Sequence, residues 1–161
     1  VLVPRIVESL RVPVIGGGGV SDGRGFAAIL ALGAKGVIMG TRLLVTREAP
    51  IHDALKNALV GADELDTMLI MRSIGATHRV WNNGAAKKCA ELEASQANLP
   101  EIINIAAGEK AKKMYRDGDL DAGVISCGQG IGLAHDIPTV KELFDRIIGE
   151  AESVVRGISE N

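Results

Sequence analysis

Pro13-Val14-Ile15-Gly16-Gly17-Gly18-Gly19-Val20-Ser21-Asp22 and, a little downstream, Gly36-Val37-Ile38-Met39-Gly40-Thr41 decide the fold. Val12-Pro13-Val14-Ile15 is a short apolar run rich in β-branched residues that meets four glycines at once, the pattern of a buried strand ending in a tight loop. Ser21 or Asp22 can cap the helix that follows, with Phe26, Ile29, Leu30 and Leu32 as its apolar face and Gly33 as its stop. Gly36-Val37-Ile38-Met39 repeats the strand signal, and Gly40-Thr41 repeats the small turn. Upstream, Val3, Ile6, Val7 and Leu10 recur at helical spacing and read as the end of a helix. The order helix, strand, glycine loop, helix, strand, glycine turn predicts a βαβ arrangement with a parallel sheet covered on both faces.

From Ala49 onward the pattern changes. Helices are expected at roughly Ile51 to Val60, Ala85 to Gln96, Glu101 to Tyr115 and Thr139 to Val155, and Asp66 to Val80 reads as partly extended. Arg116-Asp117-Gly118-Asp119 signals a turn, and Gly128-Gln129-Gly130-Ile131-Gly132 signals either a mobile loop or a close backbone approach. The last helix carries Val140, Leu143, Phe144, Ile147, Ile148, Ala151 and Val155 on one broad face, which needs a large partner surface.

The bulk properties exclude several classes. Of 161 residues, 47% are hydrophobic, and 18 basic against 20 acidic side chains leave a formal charge of −2. Charges that balanced and interspersed offer no footprint for a nucleic-acid backbone or an anionic membrane, so neither partner is expected. Cys89 and Cys127 form no CxxC pair and have no histidine ligands nearby, which argues against a metal site and for two reduced thiols in a cytoplasmic protein. No segment reaches the roughly 18 apolar residues of a membrane span. The chain opens on an amphipathic pattern and without methionine, so an upstream part is expected to have been removed or to be absent.

Glycine loops after strands suit phosphate. Several N–H donors must converge on the anion, and a residue without Cβ lets the backbone come close. Gly18 and Gly19 precede a helix whose N-terminal partial charge also favours an anion. Gly40-Thr41 follows one βα unit later, which places the two loops side by side at one end of a parallel sheet, with the Thr41 hydroxyl as a further donor. In (β/α)₈ barrels, phosphate is often held between the loops after the seventh and eighth strands. A dinucleotide-binding fold fits less well, because Met39-Gly40-Thr41 stands in the region where an acidic residue would meet a ribose.

Pro13 to Gly25 and Ala31 to Arg42 resemble the final two strand-loop units of nitronate monooxygenases, formerly called 2-nitropropane dioxygenases. Glu48-Ala49-Pro50, Lys56, Asp66-Thr67, His78-Arg79-Val80-Trp81-Asn82-Asn83, Gly128 to Leu133 and Glu150-Ala151 continue the similarity. In looser form it extends to flavin-dependent enoyl-acyl-carrier-protein reductases and inosine-monophosphate dehydrogenases. The resemblance implies an FMN enzyme, α/β in class and a TIM (β/α)₈ barrel in the parent protein, with a mostly helical C-terminal extension. Residues 1–48 would be the last βα units, 49–137 a helical insertion or lid, and 138–161 a helix packing back on the barrel. Gly18, Gly19, Gly40 and Thr41 would hold the FMN phosphate, with Met39 beside them. The family often has glutamine where this chain has Ile38. The implied reaction is oxidation of alkyl nitronates by molecular oxygen. Its alternatives are reduction of enoyl thioesters, or an inactive barrel fragment, since a full barrel needs about 250 residues. No residue here matches the family's catalytic histidine, so the base is expected upstream and the chain alone is expected to be inactive.

Three histidines remain as proton-transfer candidates. His52 is expected on the polar side of a short helix and His78 in a structural connector, while His135 is placed near the substrate cavity. Gln129 is either a polar lid residue facing the flavin or a bystander between two turn glycines. Lys110, Lys112 and Lys113 read as a solvated face, and Trp81 and Met114 as core or cavity wall. Expected partners are a small-molecule substrate, oxygen, and either a second copy or the missing barrel portion.

Overall fold

A computed structural model describes residues 1–160. Helix α1 (Leu2–Ser9) leads into strand β1 (Ile15–Gly17), helix α2 (Gly23–Ala31) and strand β2 (Gly36–Ile38). The two strands pair in parallel, Ile15 opposite Gly36, Gly16 opposite Val37 and Gly17 opposite Ile38. The βαβ expectation therefore holds, but the strand begins later than the Val12 to Ile15 run. Pro13 has no amide to give a ladder, and the first pairing bond is Lys35 N–H to the Val14 carbonyl at 2.7 Å.

That shift splits the four glycines into two kinds. A Cβ on Gly16 would lie 2.6 Å from Ile29 Cγ2, and one on Gly17 2.5 Å from Ile38 Cγ2. These two are strand residues kept small by packing. Gly18 and Gly19, at φ of +93° and +73°, make the turn itself.

After β2 the chain makes a single helical turn, α3 (Thr41–Leu44), then α4 (Asp53–Val60), which starts two residues later than expected because the His52 imidazole caps it, accepting from Ala54 N–H. Strands β3 (Thr67–Ile70) and β4 (His78–Trp81) form an antiparallel pair, Thr67 opposite Trp81 and Ile70 opposite His78. Ser126 adds a single bridge to Val80. The middle of the chain is thus helical around a small hairpin, and the partly extended reading of Asp66 to Val80 becomes a defined sheet.

The single helix expected over Glu101 to Tyr115 is two, α6 (Leu99–Ala106) and α7 (Gly108–Asp117), after α5 (Gly84–Ala94). Ala107 is extended between them, at φ −60° and ψ 136°. The cause is packing. Ile102 is buried with Ile70, Val80, Ala86, Cys89 and Val124 around the hairpin, whereas Met114 is buried in a second cluster with Val45, Leu55, Leu59, Ile125 and Ile131. Twelve positions apart on one continuous helix, the two side chains would point about 120° from each other, at 100° per residue, and could not reach both cores. The Gly128 to Gly132 stretch is also ordered, with Gln129–Leu133 a 3₁₀ turn and Gly130 and Ile131 buried.

The C-terminal helix α8 (Val140–Ser159) opens with a capping box between Thr139 and Glu142 and packs across α2. Their approach is close at Gly23, where a Cβ would sit 2.5 Å from the Ile147 carbonyl oxygen and 2.7 Å from Ala151 N. Backbone cannot yield as a side-chain tip can. Gly23→Ala should therefore destabilise the fold by about 1–3 kcal/mol through overpacking, read as a lower urea midpoint.

Arg42 anchors the other end of α8. Its side chain is 3% exposed, and its Nη2 donates to Asp136 Oδ1 at 2.6 Å, while Arg146 Nη1 of α8 donates to Asp136 Oδ2 at 2.8 Å. Partial burial opposes the Asp136 charge, but contacts with Arg146 and Arg42 outweigh it and hold the carboxyl below its ordinary value. A lowered acid stabilises the fold above the unfolded-chain pKa near 3.9, and the contribution fades as pH falls through the lower folded value. Asp136→Asn should cost about 1–3 kcal/mol at pH 7, less than a fully buried pair because Asp136 is part-exposed. The difference from wild type should shrink below about pH 4 in acid-unfolding curves.

Candidate functional site

The two glycine turns leave the same end of the β1–β2 pair. Parallel pairing with Gly17 opposite Ile38 brings Gly18-Gly19 and Gly40-Thr41 out as neighbours, about one strand spacing, ~4.8 Å, apart at their roots. Among the described residues, the amides of Gly18, Gly19, Gly40 and Thr41 donate to no other protein group. A Cβ on Gly18, Gly19 or Gly40 would meet nothing within 4 Å. The result is a group of unpartnered N–H donors on two neighbouring turns, with open space beside the three glycines.

Of these glycines, Gly40 is the most informative. Positive φ alone explains Gly18 and Gly19, and packing alone explains Gly16 and Gly17. Gly40 has φ −112° and ψ −68°, which any residue adopts, and it has room for a side chain. Neither a left-handed backbone nor packing within this chain therefore calls for glycine at 40.

A third segment braces both turns. Gly128 N–H donates to Thr41 Oγ1 at 2.9 Å, so the Thr41 hydroxyl proton stays available for a ligand. The buried Ser21 hydroxyl donates to the Gly130 carbonyl at 2.7 Å, and a Cβ on Gly130 would come 2.6 Å from Ser21 Oγ and 3.3 Å from the Gly19 backbone. The Gly128 to Gly130 stretch is a close-approach loop.

One expectation needs correction. The α2 N-terminus does not offer its charge to an anion, because carboxylates already occupy it: Asp22 accepts from Gly25 N–H at 2.8 Å and Glu150 from Gly23 N–H at 2.7 Å. Burial works against the Asp22 charge, but the Gly25 amide and Arg24 hold its pKa below the ordinary carboxylate value. A phosphate here would rest on the turn amides, not on the helix end.

The remaining sequence candidates scatter. Met39 lines an apolar groove with Leu43, Tyr115 and Phe144 beneath α8. Gln129 is exposed, its amide donating to the Glu64 carbonyl at 3.3 Å. His135 opens onto a charged cleft with Arg42, Asp136, Arg146 and Glu150, whose lining does not include Gly40 or Thr41. Trp81 packs against the core, Met114 is fully buried, and Lys112 and Lys113 pair with Glu109 and Asp119. Burial raises the Cys127 thiol to about 11, so it stays protonated. His78 and Arg79, read as connector residues, instead border a cleft at Thr41. The hairpin that carries them there has only weak signals in sequence.

Paired parallel strands bridged by a helix, with glycine turns at their carboxyl ends, define an α/β protein and put those turns where ligands bind in such folds. The chain belongs to the nitronate monooxygenase family, whose model matches residues 1–150. It is 31% identical to the (3aS,4S,5R,7aS)-5-hydroxy-7a-methyl-1-oxo-octahydro-1H-indene-4-carboxyl-CoA dehydrogenase of Rhodococcus jostii, covering 93% of this chain and 53% of the relative. It is 30% identical to a probable nitronate monooxygenase of Staphylococcus aureus, over 96% of this chain and 43% of the relative. The solved structure of FabK from Thermotoga maritima superimposes with a TM-score of 0.92 at 34% identity, over 99% of this chain and 50% of that one. The chain spans about half the length of the proteins it matches. No described helix is long and apolar enough to cross a membrane.

Gly40→Ala separates ligand approach from fold. The variant should unfold at the wild-type midpoint yet bind FMN more weakly by on the order of tenfold or more, because its Cβ enters the space the phosphate would take. Gly19→Ala should lose affinity and also about 1 kcal/mol of stability, from the left-handed backbone. Fluorescence titration with FMN beside a denaturation curve reads both. Unchanged affinity in Gly40→Ala would remove the phosphate-grip assignment.

Proposed function

We propose that this chain is the phosphate-gripping, C-terminal part of an FMN-dependent (β/α)₈ oxidoreductase that oxidises alkyl nitronates with molecular oxygen. The observation that carries the reading is the set of unpartnered amides on two adjacent turns, with Gly40 small for no reason found within this chain. Gly18, Gly19, Gly40 and Thr41 would hold the FMN phosphate and Met39 would lie beside them. FMN, when bound, supplies the redox chemistry, and the protein supplies position and electrostatics. Family membership and the nitronate monooxygenase relative support the substrate.

The exposed strand faces support the barrel part of the reading. Ile15 and Ile38, at the two ends of the β1–β2 ladder, are 57% and 67% exposed, and each strand has only one neighbour. In a closed barrel such side chains fill the interior and both edges are paired. The proton-abstracting base is assigned to the half of the relatives that this chain does not span. His52 caps a helix, and His135 lies in a different cleft from the turns. Gln129 is kept as a lid candidate and would have to leave the Glu64 carbonyl to act.

A second reading, reduction of an enoyl thioester by a nicotinamide cofactor, is favoured by the high similarity to FabK and by a relative named for a coenzyme A thioester. The two separate in one assay on the full-length, FMN-loaded protein. Oxygen consumption with an alkyl nitronate should exceed, by more than an order of magnitude, any nicotinamide oxidation with a short enoyl thioester. The reverse ratio establishes the second reading, and neither activity in flavin-loaded protein rejects both.

A further inference from the structure

A cleft of about 450 Å³ opens directly beside the second turn, lined by Gly40, Thr41, Leu44, His78, Arg79, Ser126, Cys127 and Gly128. None of its lining residues is a carboxylate. Arg79 is half-buried, and its Nη1 donates to Thr67 Oγ1 at 2.8 Å. Among the described residues no acidic side chain pairs with it, although Arg42 and Arg146 both find one. A partly buried guanidinium without a counter-ion is costly unless something anionic meets it.

The rest of the lining is donor-rich. Thr41 has its lone pair engaged by Gly128 N–H and its proton free. Ser126 Oγ and His78 Nε2 share a hydrogen bond of 2.8 Å at the rim. Cys127 stays neutral because burial raises its pKa to about 11, so it adds no negative charge.

We propose that this cleft is an oxyanion subsite next to the phosphate grip, in which Arg79 binds the negatively charged oxygens of the substrate. The assignment rests on the nitronate reading. A nitronate shares one negative charge between two coplanar oxygens, and a guanidinium fork matches that geometry where an ammonium does not. On that reading the amides of Gly18, Gly19 and Gly40 would hold the flavin phosphate, which leaves Arg79 for the substrate. The same oxyanion chemistry could come from the flavin phosphate itself, so the test must separate the two sources.

In the full-length, FMN-loaded protein, Arg79→Gln should raise KM for an alkyl nitronate by roughly 10- to 100-fold, the usual range for losing a charge-assisted contact. FMN affinity should not change, and Arg79→Lys should recover part of the loss. Weakened FMN binding with an unchanged KM would overturn the proposal and give Arg79 to the flavin phosphate, and no change in either would remove the subsite. Nitrate serves as a substrate-independent probe. Its addition should shift the Arg79 Nε–Hε NMR resonance saturably in wild type, with chloride at equal ionic strength as control. That shift supports the subsite even if nitronate turnover fails, and its absence overturns it. If Arg79→Gln does not fold, Arg79→Lys with both readouts decides.

Discussion

The site depends on two hydrogen bonds made by one short segment. Gly128 N–H reaches Thr41 of the second turn, and the Gly130 carbonyl receives the Ser21 hydroxyl just after the first. The turns belong to β1 and β2, but the segment that fixes their spacing lies 87 residues downstream of Thr41 and 109 downstream of Ser21. Glycine at 130 lets that segment lie against the Gly19 backbone, where a Cβ would have to displace Ser21 Oγ. Remote chain thereby braces the two turns against each other, and an anion site there would need such bracing to avoid an ordering cost on binding.

That bracing also explains why the middle of the chain folds as it does. The segment is held by Ile125, Cys127 and Ile131 in the cluster with Leu55, Leu59 and Met114, and by the Val80–Ser126 bridge to the hairpin. Because α6 and α7 break at Ala107, one helix can serve the hairpin core and the other the core behind the turns. The break is a condition for both cores to close around the same stretch. The Arg42–Asp136–Arg146 network then fixes α8 to the chain just after that stretch, and α8 in turn packs across α2.

What was legible in the sequence follows from the range of each interaction. The βαβ unit, the Asp22 cap and the glycine turns are local, and β-branched runs beside glycine declare them. Register was less accessible: Gly16 and Gly17 look like loop until Ile29 and Ile38 are seen pressing on them. The break at Ala107 was invisible because helix periodicity reports a face, and two different cores were drawing on it. His78 and Arg79 were passed over as connector, since the contact that brings β4 to Thr41 is carried by Ser126 to Gly128, with no local pattern to announce it. Family resemblance pointed to Gly18, Gly19, Gly40 and Thr41, and the structure brings these residues together on two neighbouring turns.

Electrostatics completes the argument about where an anion can sit. A helix N-terminus after a glycine loop is the usual place to look for phosphate, yet here Asp22 and Glu150 satisfy its amides and bring negative charge with them. Arg24 lies against both carboxylates and offsets part of that charge. Negative charge therefore disfavours an anion on the axis of α2, whereas the cleft at Gly40 and Thr41 is lined by the Arg79 guanidinium and by no carboxylate. The same carboxylates that fasten α2 to α8 thus give the site its direction.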